Sequence, residues 1–508
     1  MLNDNDFAIY YTESGVRCLD NKIGICIMNE LAKSNTTIAT LARDLDLPVS
    51  TVFFNINKLE NRGLIISHKD ADDRRKVLYS NNSIKIVSST SSIPSLHPTG
   101  EDIIGTIMDD DDYFYKGLVG FVCLSTVEWG FDISPLMYRI GNLIANEFKE
   151  EYSKIDSKEC LEHIKKFAHD ANCPEIFIES YLPLKISLKL RIAPHIDLSK
   201  VYICTISMIA RCLQFSTGIE YVISSSTVNE DGNILTYTLE QSTSATSIPQ
   251  GLFLGEEPVD LDIAKQDDEF CLLSTPEQKL VLVDNPYQIK IVKYLDESPE
   301  TLKSLCYKMK VSQSTVFSNL IKLKEMNAVF VDQNVPGSNK YKNSGTLLIV
   351  KRERGQYDAS VIKNILNNIT EDSLKYYEGI FKYILSSFDY MGLDTSRFQY
   401  HIGHIFANVL IKRNPGMNAD SLLETICNSK RGMENVLMLE SFVPLKISMT
   451  NKMLESVGGR AMLQFYVGFM SEVISLSTGK KYSVVDITDG MKGSKPSFKF
   501  ILEPNNDY

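Results

Sequence analysis

Arg74, Arg75 and Lys76 follow directly on Asp70, Asp72 and Asp73, between two short apolar runs at 64–66 and 77–79. Guanidiniums on such a polar tip are suited to the concentrated phosphate potential of a narrow DNA minor groove. A little earlier, Ser50, Thr51, Phe54, Asn57 and Lys58 fall on one face of a helix-period segment whose other face is Val52, Ile56 and Leu59. Hydroxyls, an amide and an ammonium along a helix are groups that bond to base edges and phosphates, and an α-helix has the width to enter the major groove. A second set has the same layout: Gln313, Ser314, Thr315, Ser318 and Lys322 lie opposite Val316, Leu320 and Leu323, and Lys340 and Lys342 follow on a later polar tip.

Each set needs three helices and a hairpin to hold it. In the first, 24–33 places Ile25, Met28 and Leu31 on one face, and Thr36 or Thr37 caps a second helix with Leu41 and Leu45 inward. A turn through Asp46, Leu47 and Pro48 leads into the third helix, which Gly63 ends as a left-handed cap. Strands at 64–66 and 77–79 follow. The second set repeats this frame, with a first helix over 286–295, a second filled by Leu302, Leu305 and Met309, and a third from Ser312. Phe53 and Phe317 sit at matched places in the third helices, and packing beneath the second helix is the favoured reading over contact with a thymine methyl.

This arrangement is a winged helix-turn-helix, and its residues resemble the MarR and ArsR families of regulators. Leu59-Glu60-Asn61-Arg62-Gly63-Leu64-Ile65 with Asp70 to Leu78 resembles the MarR-type wing, and 286–295 resembles the ArsR-type opening helix. The resemblance implies sequence-specific binding to double-stranded DNA. The second wing departs from it: Pro336-Gly337-Ser338-Asn339-Lys340-Tyr341-Lys342 has no Asp-Arg-Arg, leaving Lys340 and Lys342 for phosphate contact. A protein-interaction or assembly role for the winged helices is the alternative.

The repetition extends along the chain. Ser50-Thr51-Val52-Phe53 recurs 264 positions later, Tyr138-Arg139-Ile140-Gly141 is matched at 262 by Tyr400-His401-Ile402-Gly403, and Glu179-Ser180-Tyr181-Leu182-Pro183-Leu184-Lys185 is matched at 261 by 440–446. An almost constant offset of this length reads as tandem duplication of a whole unit, a fused dimer with pseudo-two-fold symmetry, rather than a solenoid. The fold class expected is α+β, with winged helices at 1–90 and 285–356 and α+β sensor-like domains at 113–242 and 373–508. In each of the latter, a helix carrying a glycine (Gly141, Gly403) precedes a β-rich stretch and a long apolar helix (201–217, 461–478) that runs into a final hairpin. This order resembles the four-vinyl-reductase type of small-molecule-binding domain, which implies a hydrophobic or aromatic effector; the cysteines many such domains carry near their last strands are absent. Candidate ligand-binding residues are Arg139, Glu179 and Lys185, with His401, His404, Glu440 and Lys446 in the second copy. The strand residues have a plainer reading as solvent-facing groups or an ion pair. His401 and His404 have metal-compatible spacing but no third ligand, so no metal and no cofactor is expected.

The chain's 508 residues carry a net charge of −11, yet 36–88 carries +2 and 286–354 carries +6, leaving −19 elsewhere. Two basic islands in an acidic protein localise any polyanion contact to the winged helices. The ten cysteines include no C-x-x-C pair and read as reduced core residues of a cytoplasmic protein. The start of the sequence has no leader pattern, and the longest apolar stretches are broken by Glu128 and Arg211, so no membrane span is expected. No nucleophile–base pair, phosphate loop or paired acid–base signature appears, so no enzymatic role is expected. The expected partner besides DNA is a small effector; the chain acts as a monomeric pseudo-dimer, with further oligomerisation open. The segments 88–112 and 241–284 read as joins, with 252–254 and 270–273 able to dock on a neighbour.

Overall fold

The computed structural model describes residues 6–12, 15–70, 73–89, 116–117, 119–121, 131–190, 199–241, 268–275, 280–332, 339–352, 359–413, 436–442, 445–450, 459–478, 482–492 and 495–504. Helix and strand are both abundant, an α+β composition. The segments 90–112 and 242–267, which include most of the two expected joins, lie outside the described residues.

A hairpin of β1 (Ala8–Thr12) and β2 (Gly15–Leu19) comes first, an element the sequence analysis missed. Then follow α1 (Lys22–Leu31), α2 (Ile38–Asp44) and α3 (Val49–Asn61), and the strands β3 (Ile65–Lys69), β4 (Val77–Asn81) and β5 (Ile84–Ser88). Local chemistry sets the boundaries. The Asn21 side chain accepts from the Ile23 amide and that of Thr37 from the Thr40 amide, satisfying donors that a helix start leaves open. Gly63 adopts φ 71°, the left-handed conformation that terminates α3. Val52, Ile56 and Leu59 are buried with Leu31, Leu41 and Leu64 in one small core; each such side chain contributes about 1.5–3 kcal/mol on burial.

The first α+β module contains α4 (Ser134–Glu147), α5 (Lys149–Tyr152), α6 (Ser157–Asp170), β6 (Glu175–Tyr181), β7 (Leu184–Lys189), α7 (Ile203–Thr217), β8 (Tyr221–Val228) and β9 (Ile234–Gln241). Its antiparallel sheet has the order β6-β7-β9-β8. The turn at 229–233 joins β8 to β9, with the Asn229 side chain accepting from the Ile234 amide.

The next unit starts with β10 (Cys271–Ser274) and β11 (Leu280–Val283), then α8 (Pro286–Glu297), β12 (Glu300–Thr301), α9 (Leu302–Met309), α10 (Gln313–Glu325), β13 (Val329–Asp332), β14 (Lys340–Asn343) and β15 (Thr346–Lys351). Thus 270–273, read from sequence as a docking piece of a tether, belongs to a hairpin. The second α+β module follows with α11 (Ala359–Glu371), α12 (Tyr376–Tyr390), β16 (Leu393–Asp394), α13 (Ser396–Arg413), β17 (Val436–Phe442), β18 (Leu445–Thr450), α14 (Gly459–Thr478), β19 (Tyr482–Lys492) and β20 (Lys495–Pro504). Its sheet order is β17-β18-β20-β19.

Three details recur in both halves. β1 pairs with β5 as β10 pairs with β15, each with a register shift, at Ile9/Tyr10 and at Leu272/Leu273. Phe131 bridges to Val87 as β16 pairs with β15, so β5 and β15, the strands after the wings, are each joined to the segment that leads into the glycine-bearing helix. The third detail explains the mid-helix glycines. A Cβ on Gly141 would collide with the Cys204 carbonyl and the Ser207 hydroxyl of α7, and one on Gly403 would lie 2.7 Å from the Phe469 nitrogen of α14. Close helix approach, not a ligand, occupies the space. Both modules share one apolar core: Phe121 meets Phe406 edge-on at 5.4 Å, and Phe131 lies against Phe398 at 5.2 Å.

Candidate nucleic-acid interface

α3 leaves one side open. Ser50, Phe54 and Lys58 are exposed and Thr51 and Asn57 half-exposed, while Val52, Asn55, Ile56 and Leu59 are buried. Asn55 is buried because its amide donates to the Thr51 carbonyl at 2.9 Å and its oxygen accepts from Asn21. Lys58 places its ammonium 4.4 Å from the centre of the Phe54 ring, a cation–π contact that holds the amine beside the open face. α10 is built the same way: Gln313, Ser314, Ser318 and Lys322 are exposed, Thr315 is half-exposed, and the buried Asn319 donates to the Thr315 carbonyl at 2.8 Å. The Ser312 hydroxyl accepts from the Thr315 amide and lies 2.9 Å from the Ser314 hydroxyl.

Phe53 and Phe317 correct the sequence reading. They are 53% and 48% exposed, not packed beneath the second helix. Each is the fifth residue of its helix, one position after the buried valine, and the 100° step per residue carries it out of the core.

The first wing is the hairpin β3–β4. Asp73 accepts from the Arg75 amide at 3.1 Å and from its Nε at 3.2 Å, and the guanidinium holds the Asp73 carboxyl below its ordinary range. Arg74, Arg75 and Lys76 are all exposed. In the second wing, Lys342 is exposed and Lys340 half-exposed on β14, which pairs with β13 and with β12; 333–338 lie outside the described residues. An open groove of about 640 Å³ runs along the turn between α9 and α10, lined by Cys306, Tyr307, Lys308, Lys310, Val311 and Ser312.

The candidate ligand residues are placed separately. Arg139 lies on α4 and is half-buried, whereas Glu179 is exposed on β6 and accepts from the Ser187 hydroxyl at 2.5 Å. Lys185 is half-exposed on β7, opposite Ser180. Glu440 and Lys446 lie on β17 and β18, with their side chains outside the described residues. His404 Nδ1 is 2.9 Å from Glu472 Oε2, and the Asn408 amide donates to the other oxygen of that carboxylate. Burial pushes the His401 imidazole down to about 4, with the neighbouring His404 adding to the shift. Burial also lowers His404, against the pull of Glu472. Both rings are therefore neutral at pH 7. Among the described residues, no group of three or more His, Cys, Asp or Glu side chains is arranged to hold a metal ion.

Sequence reasoning missed a polar seam between the modules. The Tyr376 hydroxyl lies 3.3 Å from both Cys204 Sγ and Thr205 Oγ1, and Lys116 donates to the Asn172 carbonyl at 2.6 Å. Burial lowers the Lys116 amine to about 8 and raises the Cys173 thiol beside it. The residues are scattered from Lys116 to Tyr376, so no local spacing could have announced the cluster.

Residues 285–329, spanning α8 to the start of β13, match a family model described as bacterial regulatory protein, arsR family. No curated protein and no solved structure matches the chain. Among the described residues, no helix is long and apolar enough to cross a membrane. The matched segment is the helix-turn-helix that carries the outward residues of α10, which suggests a DNA-binding transcriptional regulator.

Proposed function

We propose that the chain is a cytoplasmic, sequence-specific transcriptional regulator that arose by tandem duplication and grips two DNA half-sites with its two winged helices. The observation that carries this reading is the matched pair of open helix faces. α3 and α10 both turn hydroxyls and a lysine outward, both stand beside a basic hairpin, and the second lies in the segment that matches the ArsR family model. The recurring sheet orders, register shifts and glycine contacts support duplication. One chain would then do what a symmetric dimer does on a palindromic operator.

The α+β modules are the regulatory part of this proposal. The strand that follows each wing, β5 or β15, is bonded to the segment leading into the glycine helix: the Asp132 amide donates to the Ile86 carbonyl, and the Arg352 amide to the Gly392 carbonyl. A small hydrophobic or aromatic effector that shifts α4 against α7, or α13 against α14, would move the winged helices through these links and change half-site spacing. Arg139, His401 and His404 on the glycine helices are the residues to mutate first.

Purified chain and a library of random duplexes at moderate salt test the reading. Enrichment of a defined site with two unequal halves about one helical turn apart supports it. Recovery of unenriched sequence, or of two identical halves, counts against it.

A further inference from the structure

We infer that Phe53 and Phe317 are base-reading residues, each recognising the 5-methyl group of a thymine in the major groove of its half-site. The inference rests on the proposed DNA binding and adds the chemistry of one read position per half. Both rings stand on the open faces of their helices, about half exposed, at the same fifth helical position. Neither is needed for the small cores, which close around Val52, Ile56 and Leu59 and around Val316, Leu320 and Leu323.

The surroundings of each ring select the partner. Ser50 and Asn57 stand three and four residues from Phe53 on the same helix face, with Phe54 and the Lys58 ammonium over its ring alongside; Ser314 and Ile321 hold those places about Phe317. An extended apolar partner would strip water from those hydroxyls and amines without replacing their bonds. Val49 and Phe54 beside Phe53, and Ile321 beside Phe317, are exposed as well, and a surface that alternates hydrogen-bonding edges with small apolar points meets both demands. The thymine methyl is the apolar group that the major groove presents, and phenylalanine is among the side chains that contact it.

The two helices differ one turn further on. Asn57 stands four residues after Phe53, whereas Ile321, 40% exposed, stands four residues after Phe317. Residues four apart are neighbours on a helix face. The first half-site therefore has a thymine followed by a base bonded by an amide, adenine being the amide's bidentate partner, and the second has two neighbouring thymines.

Single thymine-to-deoxyuridine replacements in the selected duplex test this directly, because uracil keeps the pairing and loses only the methyl. One methyl buried at such a contact corresponds to roughly a fourfold change in affinity. The expected result is at least one uridine-sensitive position in each half-site. Phe53→Ala should abolish the sensitivity in one half only, and Phe317→Ala in the other. Phe53→Leu keeps an apolar contact and should retain part of the sensitivity; circular dichroism of all three variants reports whether the fold is kept. Full uridine tolerance in a site the protein binds specifically overturns the inference while leaving DNA binding standing. Sensitivity that persists in Phe53→Ala and Phe317→Ala also overturns it. Failure to enrich any duplex removes both readings.

Discussion

In the first winged helix the tip between β3 and β4 is closed by Asp73 bonding Arg75, which presents Arg74, Arg75 and Lys76 on an exposed loop. In the second, the basic groups Lys340 and Lys342 are on the strand β14 itself, tied by pairing on both sides. The helical frames beneath are alike down to the buried asparagines Asn55 and Asn319. The frame and the edge therefore answer to different constraints. Core positions are fixed by packing of whole elements, while a solvent-facing wing is free to change what it touches.

The largest effect should come from the shared part. Gly141→Ala and Gly403→Ala each force a methyl into the backbone of the facing helix, and we expect each to lower unfolding free energy by about 3 kcal/mol in urea titrations. A loss at one glycine only would show that the two helix pairs are not equivalent.

Next come the wings. Arg74→Ala with Arg75→Ala should weaken DNA binding roughly tenfold or more and reduce the slope of log affinity against log salt by about 2. Lys340→Ala with Lys342→Ala should reduce the slope alike but change sequence preference little. Equal loss of preference from both pairs would erase the proposed contrast between the wings.

Among the titrating positions at which the modules differ is Arg139 against His401. An imidazole whose folded pKa is depressed to about 4 favours folding fully above the unfolded value near 6.5, and that contribution falls as pH drops through the window between them. Stability should therefore decline by about 1 kcal/mol between pH 6.5 and 5, and His401→Gln should flatten the decline. Equal slopes in the parent and the variant would rule His401 out as the source.

The smallest effect is expected at Arg397, whose Nε lies 3.1 Å from Asp296 and ties α13 to the end of α8; the corresponding first-half positions, Pro135 and Ala32, have no such charges. Its side chain is more than half exposed, so Arg397→Ala should cost under about 1 kcal/mol. The more telling readout is hydrogen exchange in α8, which should quicken while α1 stays unchanged.

Much of the frame was legible because it is local. The valine–isoleucine–leucine stripe of α3, the Thr37 cap and Gly63 are each short-range signals with one structural meaning. The hairpins β1–β2 and β10–β11 were missed for the opposite reason. Their strands β1 and β10 pair with strands 72 to 80 positions away, and one hairpin fell in a stretch read as a join. Phe53 was misplaced because hydrophobicity was weighed above helical phase: one step from a buried valine, the ring has to leave the core. Arg139, Glu179 and Lys185 were grouped by residue type alone, and the fold puts them on a helix, an exposed strand and a half-exposed strand.

Hydroxyl-radical footprinting of the full chain on its selected duplex decides whether one chain grips two half-sites. Two protected segments about one helical turn apart at one chain per duplex are predicted, with Arg74→Ala and Arg75→Ala erasing minor-groove protection in one half only. A single protected segment at that stoichiometry, or protection that both halves lose together, would contradict the account.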